Sequence, residues 1–182
     1  MNNILIVIDM QNDFVDGSLG TKEAQAIVQK VVDRINKAKE EHWRIYYTQD
    51  THYDDYLDTQ EGKKLPVEHC VYGTDGYNLN REVSNAMNCY EDLHKYTKNT
   101  FGCIDLAEDL CFEAQDAGTE HLMNIELIGL CTDICVVSNA MLLKAFIPEA
   151  TVSVNASCCA GVTPEKHEAA LKTMESCQIN II

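Results

Sequence analysis

Short apolar runs that alternate with helix-like segments constrain the fold of this chain more than any other feature. Residues 4–8 are all aliphatic and the run ends at Asp9, which is typical of a parallel strand buried on both faces. The stretch 21–41 has apolar residues at helical spacing, which indicates an amphipathic helix. Further strands are predicted at 44–48, 93–97, 125–130, 151–155 and 179–182, and further helices at 106–117, 133–146 and from Thr163 onward. This alternation predicts an α/β fold with a mostly parallel sheet and helices on both of its faces.

Length, charge and cysteine content narrow the class of protein. A chain of 182 residues is long enough for one well-packed domain, which we expect to span 1–182. The net charge of −15, from 29 acidic and 14 basic residues, argues against a nucleic-acid partner. No apolar run reaches the ~18 residues of a membrane span, and the N-terminus is unlike a signal peptide. We therefore expect a cytoplasmic protein without a membrane partner, whose nine cysteines are mostly free, buried thiols.

Polar residues with complementary chemistry follow four of the predicted strands. They are Asp9, Asp50 with His52, Lys98, and the segment 131–135. Any one of them could simply be a polar strand end. Because the carboxyl ends of parallel strands meet at one edge of the sheet, we expect these residues to share a crevice.

The segment 131–135 places a cysteine where its thiol could act as a nucleophile. The strand is expected to end at Leu130, and Thr132 or Asp133 is a suitable N-cap for the helix that follows. Cys135 would then lie in the first helical turn, where the helix dipole lowers a thiol pKa from about 8.5. Backbone N–H groups near Cys131 and Cys135 could bind a developing oxyanion. From this segment alone, a buried structural cysteine is an equally good interpretation.

Asp9 and Lys98 favour the catalytic interpretation of Cys135. A carboxylate beside the thiol can accept its proton and later deliver it to a leaving amine. An adjacent ammonium group stabilises both the carboxylate and the thiolate.

A second group of side chains has the composition of a metal site. Asp50 and His52 stand two residues apart, on one side of an extended segment, and His69 follows 17 residues later. A carboxylate and two imidazoles suit zinc, iron or manganese. Taken alone, Asp50 and His52 also fit a polar loop.

The motifs D-x-Q-N-D-F at 9–14 and G-x-x-T-D-x-C at 129–135, together with Lys98, resemble those of the isochorismatase-like cysteine hydrolases, and among them most of all the nicotinamidases. The resemblance covers nearly the whole chain and implies a three-layer α-β-α fold with a six-stranded, mostly parallel sheet. It also implies that Asp9, Lys98 and Cys135 form a catalytic triad and that the backbone amides of Cys131 and Cys135 bind the oxyanion. The resemblance further implies a cis peptide bond between Leu130 and Cys131, and substrate contacts from Phe14 and Leu130.

The same resemblance gives the second group of side chains a role. Nicotinamidases use such residues to bind one divalent metal ion that holds the ring nitrogen of the substrate. The ligands implied here are Asp50, His52 and His69, with Glu61 near the position of a more variable fourth ligand. The ion would be zinc, or else iron or manganese. In one respect the chain departs from the pattern, because residues 64–68, just before His69, contain no aromatic residue. The family is commonly oligomeric, which implies a homo-oligomer.

The expected function is hydrolysis of a small heteroaromatic amide, nicotinamide above all, to nicotinate and ammonia through a thioester on Cys135. One alternative is a metal-containing amidase of this family that acts on another small amide or a carbamoyl compound. Another is a vinyl ether hydrolase of the isochorismatase type, which would need neither the thiol nor the metal ligands. A non-catalytic binding module is also possible, although every member of the triad is present.

Overall fold

The structure, a computed structural model, describes residues 2–182. Within this range a six-stranded parallel sheet has the order β3-β2-β1-β4-β5-β6. The strands are β1 (Asn2–Ile8), β2 (Arg44–Asp50), β3 (Leu93–Lys98), β4 (Met123–Leu130), β5 (Thr151–Ala160) and β6 (Asn180–Ile181). The helices are α1 (Asn12–Val15), α2 (Lys22–Glu40), α3 (Gln60–Lys64), α4 (Arg81–Met87), α5 (Ile104–Ala117), α6 (Val137–Phe146) and α7 (Pro164–Ser176). The predicted three-layer α-β-α fold is confirmed.

The central strand β1 contributes to the hydrophobic core on both faces of the sheet, because successive side chains of a strand point to opposite sides. Ile4, Ile6 and Ile8 pack against α5, α6 and α7, whereas Leu5 and Val7 pack against α2 and α4. All five side chains are fully buried. Burial of each stabilises the fold by about 1.5–3 kcal/mol, which explains why this run must lie inside the sheet.

The structure contains more local order than the sequence indicated. Residues 50–92, which show little periodicity, include α3, α4 and a 3-10 turn at Tyr56–Asp58. Asn80 is the N-cap of α4, and its side chain accepts hydrogen bonds from the backbone N–H groups of Glu82 and Val83. The helix predicted over 133–146 is divided into a π-helical turn, Thr132–Val136, and the α-helix α6.

In the part of the chain that the structure describes, no helix is both long and apolar enough to cross a membrane. All nine cysteines are free thiols and five of them are buried, including Cys135. Most of the cysteines are thus buried thiols, as expected.

Candidate active site

The side chains of Asp9, Lys98 and Cys135 meet at the carboxyl edge of the sheet. Asp9 follows β1, Lys98 is the last residue of β3, and Cys135 lies in the π-helical turn after β4. The Nζ of Lys98 lies 2.6 Å from Oδ2 of Asp9 and 3.5 Å from Sγ of Cys135. At most 6% of any of these residues is exposed. The lysine side chain therefore links a carboxylate and a thiol whose residues are 126 positions apart in the chain.

The two carboxylate oxygens of Asp9 have different surroundings. Oδ1 accepts a hydrogen bond of 2.7 Å from the Thr48 hydroxyl. Oδ2 faces the Lys98 ammonium as an ion pair and has no aligned hydrogen-bond donor. Asp9 has a φ of 46°, a left-handed conformation that aspartate tolerates better than most residues. This backbone turn holds the carboxylate over the end of β1.

The charges at this edge follow from burial and mutual attraction. Burial raises the pKa of Asp9, and the positive charge of Lys98 offsets this only in part. Burial acts to lower the pKa of Lys98, but the negative charges of Asp9, Cys135 and Asp50 outweigh it and raise that pKa well above its usual value. Lys98 is thus a firmly held cation beside Asp9.

Cys135 differs from the sequence prediction in its acidity. Its pKa is raised well above the usual value, first by burial and then by the negative charge of Asp9. The expectation that the helix dipole would lower this pKa is therefore wrong for the free site, because loss of solvent outweighs the dipole. A thiol whose pKa is raised needs a base to take its proton during attack.

The turn that carries Cys135 is held by long-range contacts. The predicted cis peptide bond Leu130–Cys131 is present. Cys131, not Thr132 or Asp133, is the N-cap residue, and no side chain caps the turn. The predicted caps are wrong because both side chains have other partners. Thr132 Oγ1 lies 2.8 Å from Nδ1 of His167, and Asp133 Oδ1 accepts a hydrogen bond of 2.9 Å from the backbone N–H of Val162.

Asp50, His52 and His69 also come together, next to Lys98. Oδ2 of Asp50 lies 3.1 Å from Nε2 of His52 and 3.6 Å from Nε2 of His69. Nδ1 of His69 lies 2.8 Å from the Val67 carbonyl, a donor position that leaves Nε2 free to bind a metal. All three ligand atoms lie within 4.8 Å of one another. Ligand atoms on a tetrahedral zinc ion are about 3.3 Å apart, so this donor set fits a divalent metal ion.

The charge state and the neighbours of this cluster support that fit. Burial opposes ionisation of Asp50, but hydrogen bonds from His52 and His69 and the charge of Lys98 lower its pKa below the usual value. The carboxylate is therefore ionised, as a metal ligand must be. Glu61 lies somewhat farther out, with Oε1 3.9 Å from Nε2 of His52 and 3.7 Å from Nε2 of His69.

Two residues of the D-x-Q-N-D-F motif position the cluster, a function that the sequence analysis did not assign. Gln11 accepts a hydrogen bond of 2.7 Å from the backbone N–H of Asp50 and donates one of 2.8 Å to its carbonyl. Asp13 accepts a hydrogen bond of 2.8 Å from the backbone N–H of Cys70, directly after His69. The motif itself was recognisable in the sequence, but no local pattern indicated which distant segments its side chains would contact.

A cavity of about 710 Å³ connects the two groups of side chains. The thiol side is lined by Cys131 and Cys135, and the metal-competent side by Asp50, His52, Glu61 and His69. Aromatic residues that line it are Phe14, Tyr53, Tyr56 and Phe101. Phe14 lines the cavity as expected. Leu130 does not: its side chain is fully buried in the core on the α2 face of the sheet, so the expected contact through this side chain is not present.

Tyr53, Tyr56 and Phe101 were not singled out from the sequence. The ring of Tyr56 is fully buried and meets the rings of His52 and His69 edge-on, with centroid distances of 4.6 and 4.9 Å. Tyr53 and Phe101 are 58% and 48% exposed. The sequence offered one indication of the last two: Tyr53 follows His52 directly, and Phe101 stands three residues after Lys98.

The sheet and the crevice at its carboxyl edge are those of a hydrolase built on a parallel α/β fold. The chain belongs to the isochorismatase family, because the family profile described as "Isochorismatase domain" matches residues 3–182. It is similar to a nicotinamidase/pyrazinamidase of Mycobacterium tuberculosis, with 26% identity over 98% of this chain and 97% of that protein.

Solved structures show the same relationship. The nicotinamidase/pyrazinamidase PncA from Bacillus subtilis superposes with a TM-score of 0.81 at 25% identity, over 100% of this chain and 99% of that one. The pyrazinamidase of Pyrococcus horikoshii in complex with zinc gives 0.80 at 26% identity, with the same coverage. The predicted family, the isochorismatase-like fold and the hydrolase class are thereby confirmed.

Proposed function

We propose that this chain, acting as one domain, hydrolyses small heteroaromatic amides, nicotinamide and pyrazinamide first, to the acid and ammonia. The observation that carries the proposal is that one cavity is lined both by the Cys135 thiol and by the cluster of Asp50, His52 and His69. Similarity to nicotinamidases over nearly the whole chain supports the substrate class.

In the proposed mechanism Cys135 attacks the amide carbonyl. As the S–C bond forms, the thiol proton passes to Oδ2 of Asp9, the carboxylate oxygen without an aligned donor. The backbone N–H groups of Cys131 and Cys135 stabilise the oxyanion. The C–N bond then breaks and ammonia leaves with the proton from Asp9, which gives a thioester. Water, deprotonated by Asp9, cleaves the thioester, and the proton returns to the thiolate.

Lys98 stabilises the ionised forms of Asp9 and Cys135 during these proton transfers. Its ammonium group, 2.6 Å from Oδ2, stabilises the negative charge on whichever of Asp9 and Cys135 is ionised. Since both groups and the lysine are buried, this attraction is stronger than it would be in water. The triad thus moves one proton without changing the net charge of the site.

Asp50, His52 and His69 are the proposed ligands of one divalent metal ion, with Glu61 as a fourth. When bound, the ion supplies a Lewis-acidic position for a ring nitrogen of the substrate. We propose zinc, the metal of the Pyrococcus horikoshii relative, with iron and manganese as alternatives. The protein side chains then orient the amide carbonyl toward Cys135, an effect that can be worth several kcal/mol.

A second candidate function is hydrolysis of another small amide or a carbamoyl compound. Two observations favour it: residues 64–68 contain no aromatic residue, and a cavity of about 710 Å³ is larger than a single pyridine ring requires. The vinyl ether hydrolase and the binding module are less favoured, because the buried carboxylate, ammonium and thiol are all in contact.

A substrate panel scored by ammonia release from metal-replete protein tests the proposal. We expect kcat/KM for nicotinamide and pyrazinamide to exceed that for succinamide and simple carbamoyl compounds by more than tenfold. Cys135→Ala should abolish turnover of every substrate while leaving the circular dichroism spectrum unchanged. If an aliphatic amide or carbamoyl compound is preferred tenfold, the heteroaromatic assignment is wrong. The homo-oligomer and the cytoplasmic location stay predictions, tested by light scattering and cell fractionation.

A further inference from the structure

One buried amide side chain connects the turn that carries the thiol to a wall of the cavity. Asn139, on α6, is 2% exposed. Its Nδ2 donates hydrogen bonds to the carbonyls of Cys135, at 2.8 Å, and Phe101, at 3.3 Å. Its Oδ1 accepts one of 2.9 Å from the backbone N–H of Cys103. The position of residues 101–103 is thereby tied to that of Cys135.

Residues 99–101 form this wall directly after Lys98, and Asn99, Thr100 and Phe101 all line the cavity. The segment is held closely against α6. A Cβ atom at Gly102 would lie 2.4 Å from Cδ1 of Leu142, so a larger residue here would have to displace that side chain. The Thr100 hydroxyl donates a hydrogen bond of 2.7 Å to the Gly102 carbonyl. These contacts fix the backbone from which the Phe101 ring projects.

Phe101 is 48% exposed, although its backbone carbonyl accepts a hydrogen bond from Asn139. A ligand that covered the ring would remove apolar surface from water, which is favourable. Two buried aromatic rings adjoin the cluster: Phe14, 8% exposed and 5.5 Å from the His69 ring, and Tyr56, which contacts both histidine rings. Residues 64–68 offer no aromatic side chain to the substrate. Phe101, three residues after Lys98, lines the cavity and has exposed ring surface that a planar substrate can cover.

We propose that Phe101 is a specificity-determining residue that packs against the ring of the substrate, and that Asn139 positions this wall relative to Cys135. The inference rests on the proposed function and adds to it the residue that selects ring amides over acyclic ones. Contact between aromatic rings is favourable beyond the area that it buries. An acyclic amide would gain little from Phe101 but would still reach Cys135.

The first test compares Phe101→Ala and Phe101→Leu with the wild type on nicotinamide and on an acyclic amide, succinamide. We expect kcat/KM for nicotinamide to fall about tenfold or more, mainly through KM, while the value for succinamide stays within about twofold. Phe112→Ala is the matched control, because Phe112 is 64% exposed and does not line the cavity. If Phe101→Ala leaves the preference for the ring amide unchanged, the inference is wrong.

The second test asks whether Asn139 acts through Phe101. Asn139→Ala should reduce the preference for the ring amide, and combining it with Phe101→Ala should cause little further loss of that preference. A purely structural asparagine would instead lower activity on both amides equally and give additive effects, which would overturn the positioning role. Should Asn139→Ala fail to fold, Asn139→Ser gives the same comparison, because its short hydroxyl cannot reach all three backbone partners at once.

Failure of the proposed function would be recognised separately. If the wild type hydrolyses no amide, the reaction is wrong, but calorimetric titration with nicotinate still measures ring binding. Phe101→Ala should then weaken nicotinate binding by about tenfold, whereas Phe112→Ala should not change it. Equal affinities in the wild type and Phe101→Ala would overturn the inference alone.

Discussion

At the scale of single residues, a hydrogen bond from Thr48 determines which oxygen of Asp9 is available to accept a proton. The Thr48 hydroxyl occupies Oδ1, 2.7 Å away, so the oxygen that remains available is Oδ2, beside Lys98. Thr48 lies in β2, the strand next to β1, and is fully buried. Its hydroxyl therefore orients the proposed proton acceptor, and it acts to lower a pKa that burial raises.

The pH dependence of activity should report the acidity of Asp9. Burial raises its pKa, and a protonated carboxyl group cannot accept the thiol proton. Activity should therefore be lost, as pH falls, at a higher pH than the ordinary aspartate pKa of about 3.9. The isosteric variant Thr48→Val removes a hydrogen bond that lowers this pKa. It should shift the acid limb of kcat/KM to higher pH and reduce kcat about tenfold.

Thr97→Val is the control for that experiment. Thr97 lies on β3, is exposed and makes no hydrogen bond to Asp9, so its pH profile should match the wild type. An acid limb at the same pH in Thr48→Val and the wild type would show that Asp9 is not the group that limits activity.

At the scale of elements, the segment of residues 9–14 organises the site. It leaves β1 at Asp9, enters the short helix α1, and bonds through its side chains to segments far along the chain. Gln11 reaches Asp50 and Tyr77, and Asp13 reaches Cys70. The motif D-x-Q-N-D-F thus serves both the triad and the metal-competent cluster.

Gln11→Met should weaken metal binding without disrupting the triad. The variant leaves the backbone N–H and carbonyl of Asp50 without their side-chain partner, and unsatisfied buried groups cost about 1–3 kcal/mol each. Loss of such supporting contacts typically lowers metal affinity about tenfold to a hundredfold. Competition with a chromophoric chelator measures the change.

Gln49→Met is the control for this experiment. It distinguishes the contact of Gln11 with the Asp50 backbone from its contact with the Tyr77 carbonyl. Gln49 donates to the same Tyr77 carbonyl, at 2.9 Å, but not to Asp50. It should therefore keep its metal affinity within about threefold. If both variants lose affinity equally, the loop around Tyr77, rather than the backbone of Asp50, controls the site.

These contacts also explain what the sequence could and could not predict. Five consecutive aliphatic residues must be buried on both faces, so β1 was predictable, and parallel topology then gathered Asp9, Asp50 and Lys98 at one edge. Helix α4 was missed although Asn80 is a good N-cap, because a helix of seven residues shows little periodicity.

Other features depended on partners remote in the chain. Thr132 and Asp133 are plausible caps by local rules, but they bond to His167 and Val162, 35 and 29 residues away. The acidity of Cys135 was mispredicted for a related reason. The direction of its pKa shift is set by burial, which depends on how the whole sheet and its helices pack.

At the scale of the whole molecule, residues 51–80 form a long excursion across the carboxyl edge of the sheet. Its bridges are isolated ones: His52 pairs with Val71 inside the excursion, and Leu79 pairs with Gln11, which lies outside the strands. Its inner side carries His52, Glu61 and His69, whereas Asp50 belongs to β2. A metal ion bound by these residues would therefore join the excursion to the sheet.

Removal of the metal should consequently destabilise the excursion more than the sheet. A ligand present at 100 times its dissociation constant adds about 2.7 kcal/mol to the free energy of unfolding, which for a domain of this size raises Tm by roughly 5–11 °C. Zinc added to chelator-treated protein should produce such a rise, and hydrogen exchange should slow in residues 51–80 while β1 and β4 keep their protection. His52→Ala should lose the response to zinc, whereas His94→Ala, on the exposed edge strand β3, should retain it.

An equal Tm with and without zinc, iron or manganese, together with unchanged exchange in residues 51–80, would mean that the cluster binds no metal. The heteroaromatic substrate would then lose its main support, while the proposed roles of Asp9, Lys98 and Cys135 would be unaffected.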